Sequence, residues 1–412
     1  MYSNHDTEVA GLSRRQFVFR SLATVGLFSF AAEVTRVSAS SPSSLAPEKP
    51  VLYLVATAHN DTQWNWTVQS TIDDYIPKTV RLNDALFDKY PHYNFNYEGV
   101  IHYRFCKEYH PDLYATIKRR VAEGRWKLSG GWVNAVDTHA PSAESLFRQA
   151  LYGQQFFRRE FGMVPRDIYL PDCFGFPLSL PTIGKHSGFI AFSTQKFSAS
   201  WGCFIPPPFA VGNWEGVDGS TLVTALRPGA YITKVRADPS VDPKWQDDFV
   251  VADGASVDLR YFGTGDTGGA PDDESVRWVN EAVANKTGTA LVRNTAADQM
   301  AKDLTPAEIA ALPRYKGELL LKLHAVGCYT SQAAMKRWNR QNEQLGDAAE
   351  RISLMAQWLG GPAYPRAALT ESYLRFLWHQ FHDDVTGTCI PQAYTFSWND
   401  EVIALSRFAR ID

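Results

Sequence analysis

Several things are scarce or missing in this chain of 412 residues. Paired cysteines are missing: Cys106, Cys173, Cys203, Cys328 and Cys389 are odd in number, and none forms a C-x-x-C pair. That excludes a disulfide framework and a thiolate metal site. A block of like charge is missing as well. The 41 basic residues are scattered among 44 acidic ones, for a net charge of -3, so nothing marks a nucleic-acid surface. No apolar run is long and unbroken enough for a stable membrane span, and no internal repeat or low-complexity tract is present. What remains is 45% hydrophobic and 21% charged, ordinary for a globular protein with a large core. The length fits an α/β barrel with an appendage. Twelve tryptophans suit both a core and a surface for sugars, whose C–H groups pack on aromatic rings, and so decide nothing alone.

The N-terminus carries a signal of its own. Ser13-Arg14-Arg15-Gln16-Phe17 precedes an apolar run from Val18 to Ala32, and Val37-Ser38-Ala39 offers small residues for cleavage. Residues 1–39 thus resemble a twin-arginine export signal, with 40–50 as a linker, and the expected destination is periplasmic or secreted. That route carries folded proteins, which suits a chain loaded with metal before export.

Val51-Leu52-Tyr53-Leu54-Val55-Ala56 is a short apolar run of the kind expected of a buried parallel strand. The pattern then predicts helices over 73–90, 112–123 and 142–161 and strands over 93–97, 125–128 and 167–170. Such alternation implies a mostly parallel sheet, open or closed into a barrel, over 51–325. Apolar residues at helical spacing then predict helices over 331–359, 370–381 and 397–408. This reads as a helical bundle over 326–412, its third helix cut off by the chain end and its apolar stripe (Leu345, Ile352, Met355, Trp358) partly uncovered.

Four groupings carry chemistry. His59-Asn60-Asp61, followed by Gln63-Trp64, comes directly after the first strand. Residues two apart in an extended segment share a face, so His59 and Asp61 can converge as a nitrogen/oxygen ligand pair for a divalent metal, or merely hydrogen-bond within a loop. Asp172 in Leu170-Pro171-Asp172-Cys173-Phe174-Gly175 lies at another strand end, where it can face the same cavity or serve a turn. Tyr261 to Pro271 contains a G-x-G-x-x-G match. Its aspartate, Asp266, is ill suited to a pyrophosphate and better suited to proton transfer. Finally, Phe381-His382-Asp383-Asp384 brings a second His-acid pair at the end of a helix, as ligands or as a cap.

In their order along the chain these groupings resemble glycoside hydrolase family 38, the α-mannosidases. The family's His-Asn-Asp-x-x-Trp is matched by His59, Asn60, Asp61 and Trp64, and its Asp-x-Phe-Gly by Asp172, Phe174 and Gly175. Gly265 to Pro271 looks like the family's glycine-rich loop, and Phe381 to Thr388 is similar to its His-His-Asp-x-x-x-Gly-Thr. Gly130-Gly131-Trp132-Val133, Glu144 to Gln149, and Gly317-Glu318-Leu319 with His324 also fit.

The resemblance implies an α/β fold, a (β/α)7-type barrel followed by a helical bundle, here truncated. It implies one zinc ion per chain held by His59, Asp61, Asp172 and His382. Asp172 would be the nucleophile, Asp266 the acid/base, Trp64 a platform under the sugar and Asp383 a ligand of its hydroxyls. The implied reaction is retaining cleavage of terminal α-mannosyl residues through a covalent glycosyl-enzyme. Phe381 stands where the family has the first His of its pair. Two other readings are a catalytically impaired zinc- and sugar-binding fragment and a metal-dependent polysaccharide deacetylase-like hydrolase. Family members continue through β-rich domains, so the expected partners, besides an α-mannoside, are a second copy of the chain or a separately encoded β-rich segment.

Overall fold

The computed structural model describes residues 49–198 and 206–411. The export signal over 1–39 and most of the linker lie outside the described residues.

The first strand, β1 (Val51–Ala58), is buried beyond its first residue. Apolar side chains on both faces let it sit in the middle of a sheet rather than at a solvated edge. A short helical turn (Val68–Ser70) and a five-residue π-turn (Thr71–Tyr75) lead into helix α1 (Ile76–Lys89). The chain continues through β2 (Phe95–Glu98), α2 (Val100–Tyr109), α3 (Pro111–Ala122), β3 (Trp126–Ser129), α4 (Ala143–Phe161) and β4 (Asp167–Tyr169). Helix α4 starts where the Ser142 hydroxyl accepts from Ser145 N at 3.2 Å and stops at left-handed Gly162, a capped beginning and a glycine end. Next come α5 (Leu180–His186), β5 (Ala191–Ser193), β6 (Val211–Glu215), β7 (Thr221–Ala225), β8 (Val250–Ala252), β9 (Ala255–Thr264), α6 (Asp273–Asn285), β10 (Leu291–Asn294) and β11 (Arg314–Lys316).

The strands form two sheets. One has the order β3-β2-β1-β9-β8, with β10 beside the start of β1; the other runs β11-β6-β7-β5-β4. All pairings are parallel except β6 with β7 and β8 with β9. Among the described residues no ladder joins the sheets. Where β3 ends and β4 begins, Gly131 N donates to Asp167 O at 3.3 Å, and the Asp167 carboxylate accepts from Ser129 Oγ at 2.6 Å and Gly130 N at 2.9 Å. The expected barrel is thus a mixed α/β arrangement of two mainly parallel sheets.

One register matters most. β1 pairs with β9 along its whole length, from Val51 opposite Val257 to Ala58 opposite Thr264. A Cβ at Gly263 (φ +154°) would lie 1.9 Å from the Thr57 carbonyl oxygen, so only glycine allows the two strands this approach. The register brings the carboxyl ends of both strands level.

Beyond the sheets lie α7 (Ala333–Trp358), α8 (Arg366–Leu377) and α9 (Pro391–Ile411). Ala349 of α7, Leu369, Tyr373 and Phe376 of α8, and Ala404 and Phe408 of α9 share one buried cluster with Val68, Ile101 and Val133. Two expectations are corrected here. The helix placed over 370–381 ends at Leu377, and a 3-10 turn follows (Trp378–Gln380), so His382 lies in an irregular segment rather than at a helix end. The third helix begins six residues earlier than expected and runs for 21 residues. On the outer face of α7, Ile352 (45%), Met355 (61%) and Trp358 (85%) are exposed as expected, whereas Leu345 is partly buried against the helical cluster. No helix among the described residues is long and apolar enough to cross a membrane.

Candidate active site

Strand carboxyl ends supply most of the site, as the geometry of parallel α/β sheets favours. His59 and Asp61 follow β1, Glu98 ends β2, Asp172 follows β4, Gln195 and Lys196 follow β5, and Asp266 follows β9. The β1–β9 register continues past the strands through His59 N to Thr264 O (3.2 Å) and Asp61 N to Asp266 O (2.8 Å). The ninth and eleventh residues counted from Val51 are thereby set beside residues 205 positions further along the chain. Asp266 itself has φ +62°, a left-handed conformation tolerated by aspartate better than by most residues and frequent at functional sites.

Four side chains converge on one buried point. His59 Nε2 lies 2.9 Å from Asp61 Oδ1, and His382 Nε2 lies 3.4 Å from Asp61 Oδ1 and 3.6 Å from Asp172 Oδ2. Asp383 Oδ2 is 3.7 Å from His382 Nε2. His59 Nε2, Asp61 Oδ1 and His382 Nε2 are buried without a hydrogen-bond partner, which costs free energy unless something else satisfies them. The opposite nitrogens are tied: His59 Nδ1 to the Glu98 carboxylate, and His382 Nδ1 to the Ala135 carbonyl at 3.1 Å. Both rings therefore aim Nε2 inward. Backing of this kind is what a metal-ligating histidine needs. Two histidines and two aspartates form a donor set suited to zinc. The electrostatics agree. Burial disfavours a charged imidazole at His59, but the Glu98 and Asp61 carboxylates outweigh it and raise its pKa well above 6.5. The cluster calls for positive charge, which a divalent ion would supply.

Beside this point Asp172 divides its two oxygens. Oδ2 faces His382, while Oδ1 accepts from Lys196 Nζ at 2.6 Å, Gln195 Nε2 at 3.0 Å and Tyr231 Oη at 3.5 Å. Burial alone would raise its pKa; the Lys196 ammonium and then His382 hold it well below the usual carboxylate range. Asp266 has the opposite character. Burial raises its carboxyl, the Tyr231 hydroxyl pulls it back, and the Asp61 and Asp172 charges push it up further. Tyr231 Oη donates to Asp266 Oδ1 at 2.6 Å. Two carboxylates with opposed pKa shifts share one hydroxyl.

They face a cavity of about 250 Å³ lined by Asp61, Trp64, Asp172, Lys196, Tyr231, Asp266 and Asp383 among others. All the residues proposed from the sequence are thus brought to one place: the four ligand candidates to the buried point, Asp266 across from Asp172, and Trp64 and Asp383 to the wall. Glu98, Gln195, Lys196 and Tyr231 were missed. Glu98 had a weak signal, as a carboxylate ending a strand just before Gly99. Tyr231 sits on a long connection that has no periodicity to read.

Comparison with known proteins agrees with the architecture first. An alpha-mannosidase from Enterococcus faecalis has the same fold with a TM-score of 0.72 at 18% identity, over 88% of this chain and 42% of that one. A 4-alpha-glucanotransferase from Thermococcus litoralis matches with a TM-score of 0.56 at 11% identity, over 86% and 59%. The class the fold and site define is therefore an α/β protein with a buried His/Asp cluster at its strand ends. The family follows from sequence. Residues 49–318 match the glycosyl hydrolases family 38 N-terminal domain, and residues 323–401 match the alpha mannosidase middle domain. The chain belongs to glycoside hydrolase family 38. Alpha-mannosidase G of Dictyostelium discoideum is 31% identical over 344 residues, 83% of this chain and 31% of that protein. The alpha-mannosidase of Saccharomyces cerevisiae is 29% identical over 362 residues, 84% of this chain and 32% of that protein. The chain spans about a third of the length of these curated relatives.

Proposed function

We propose that this chain is the catalytic part of a retaining α-mannosidase that removes terminal α-mannosyl residues. The observation that carries the reading is the shared hydroxyl. With Tyr231 Oη 2.6 Å from Asp266 Oδ1 and 3.5 Å from Asp172 Oδ1, one hydroxyl spans the two carboxylates, which supports the close pairing of a retaining enzyme, about 5–5.5 Å, over a pair opened to admit a water.

In the first step an Asp172 oxygen attacks the anomeric carbon, the bond to the leaving oxygen breaks, and that oxygen takes the Asp266 proton and departs as an alcohol. In the second, water attacks the same carbon, its proton passes to the Asp266 carboxylate, and Asp172 is released. Lys196 and Gln195 orient the nucleophile, Trp64 offers a face to the ring, and Asp383 accepts from its hydroxyls. His59, Asp61, Asp172 and His382 would hold one zinc ion, which supplies Lewis-acid orientation of neighbouring sugar hydroxyls. A deacetylase has no use for Asp266 in the Asp172–Tyr231–Asp266 arrangement, and an impaired binding fragment is told apart by turnover of an aryl α-mannoside.

The test separates the two carboxylates. Asp172→Ala abolishes turnover and weakens metal binding. Asp266→Ala keeps metal and still glycosylates itself with dinitrophenyl mannoside, and azide then attacks the β-mannosyl-enzyme from the opposite face and yields the α-mannosyl azide. A β-azide product, or β-mannose released first by the unaltered chain, sinks the assignment.

The same reading takes the two sheets as an open (β/α)7-type barrel and α7 to α9 as its helical bundle. It includes export under the direction of residues 1–39, tested by fusing them to a reporter active only outside the cytoplasm. It also includes association through the uncovered face of α7, with a second copy or a β-rich segment, read by light scattering. A monomer at all concentrations would remove the second copy from the list.

A further inference from the structure

The geometry points to a leaving-group subsite for a second sugar ring, built by the segment just after the metal-ligand motif; the inference rests on the glycosidase reading above. The cavity, at about 250 Å³, is below the roughly 300 Å³ at which pockets begin to take drug-sized ligands, so it has room for one pyranose. The leaving group must then lie outside it, next to the residue that protonates it, Asp266.

That side of the rim is aromatic. Trp64, on the cavity wall, meets Trp66 edge-on with ring centroids 6.0 Å apart, and Trp66 meets Tyr75 edge-on at 5.0 Å. The Lys78 ammonium lies 5.0 Å from the Tyr75 ring and donates to Thr267 Oγ1, beside Asp266, at 3.2 Å. The crescent thus begins at the sugar platform and ends at the acid's neighbour. Trp66, Tyr75 and Lys78 are only half-buried. Trp66 is locked, its indole N–H bonded to Thr71 Oγ1 at 3.0 Å, while Thr71 donates in turn to the Asp61 carbonyl at 3.1 Å. The segment that presents Tyr75 is the π-turn, Thr71–Tyr75, a rare geometry that often marks functional sites and that the two catalytic steps leave unused. Half-exposed, rigid aromatic edges beside a cationic donor suit a pyranose, which offers C–H groups to the rings and hydroxyls to the lysine. A second mannose or another hexose is the ligand class.

The experiment compares kcat/KM for an α-linked mannose disaccharide with that for α-mannosyl fluoride, whose leaving group has no ring. In Trp66→Leu the disaccharide-to-fluoride ratio falls about tenfold; Tyr75→Leu and Lys78→Met lower it less. Trp66→Phe, which loses the bond to Thr71 but keeps an aromatic face, retains most of the ratio. A ratio unchanged in Trp66→Leu, or lowered equally in Trp66→Phe, overturns the subsite while leaving the glycosidase reading intact. An unaltered chain that hydrolyses neither substrate overturns that reading, and the subsite with it.

Discussion

Glu98 shows how much a single side chain decides at this site and how little of that shows in one dimension. Its carboxylate is bound to His59 Nδ1 and is buried on the far side of the ring from the metal point. Replacement by Gln leaves the shape and weakens the polarisation of the imidazole, and losing such a partner costs on the order of 10–100-fold in metal affinity. The expected outcome for Glu98→Gln is that loss, measured by competition with a coloured chelator, with a far-UV circular dichroism spectrum unchanged. Equal affinity in both proteins would make Glu98 a packing residue. The candidate ligands were legible because His59, Asp61, Asp172 and His382 stand in short, ordered motifs. Glu98, Lys196 and Tyr231 were not, because their roles come from register: a carboxylate or tyrosine on an apolar strand or loop looks the same wherever it points.

The helices 76–89, 111–122, 143–161 and 333–358 were largely visible in advance, because each carries a long apolar stripe. The short β2, β3 and β4 fall within a residue or two of the strands expected, whereas β5, β10 and β11 were illegible, since a period of two needs more residues to declare itself. Helix α2 was missed for another reason: its buried Val100, Ile101, Tyr103 and Cys106 alternate with charged residues across only ten positions. The seam between the two sheets likewise leaves no pattern. It depends on Asp167, whose carboxyl burial and then the Asp298 charge raise to about 7. A folded-state pKa above the unfolded value of about 3.9 means that the native state binds more protons between about pH 4 and 7, so stability contributed by this group falls as pH rises through that window. Asp167→Asn keeps an acceptor for Ser129 and Gly130. Urea unfolding at pH 5 and pH 7.5 is expected to show a smaller loss of stability in the variant than in the parent. Identical losses would mean that the carboxyl titrates normally.

Across the whole molecule the metal point draws on both the sheets and the helical region, with His59, Asp61 and Asp172 from the first and His382 from the second. A ligand that binds only the folded chain stabilises it by roughly 2.7 kcal/mol at a hundredfold excess over Kd. Chelation is therefore expected to lower the melting temperature on the order of 5 °C, and re-addition of zinc to restore it. In His382→Ala the chelator should no longer shift the transition. A shift that persists there would place the stabilising ion elsewhere.

The same region holds a bond from Gln63 Nε2 to Ser397 Oγ, 2.6 Å long between residues 334 positions apart. A ribosome adding about 5–20 residues per second has the His-Asn-Asp motif out long before it reaches α9. Asp172 follows midway, so for most of its synthesis the nascent chain holds three of the four candidate ligands, His59, Asp61 and Asp172, without His382 to complete them. The entropy of closing so long a loop grows only logarithmically, so the delay costs little in final stability, whereas contacts this distant slow the search for the native state. On the reading proposed above, ion capture would belong to the end of that search, a seal on a finished structure rather than a nucleus around which it grows.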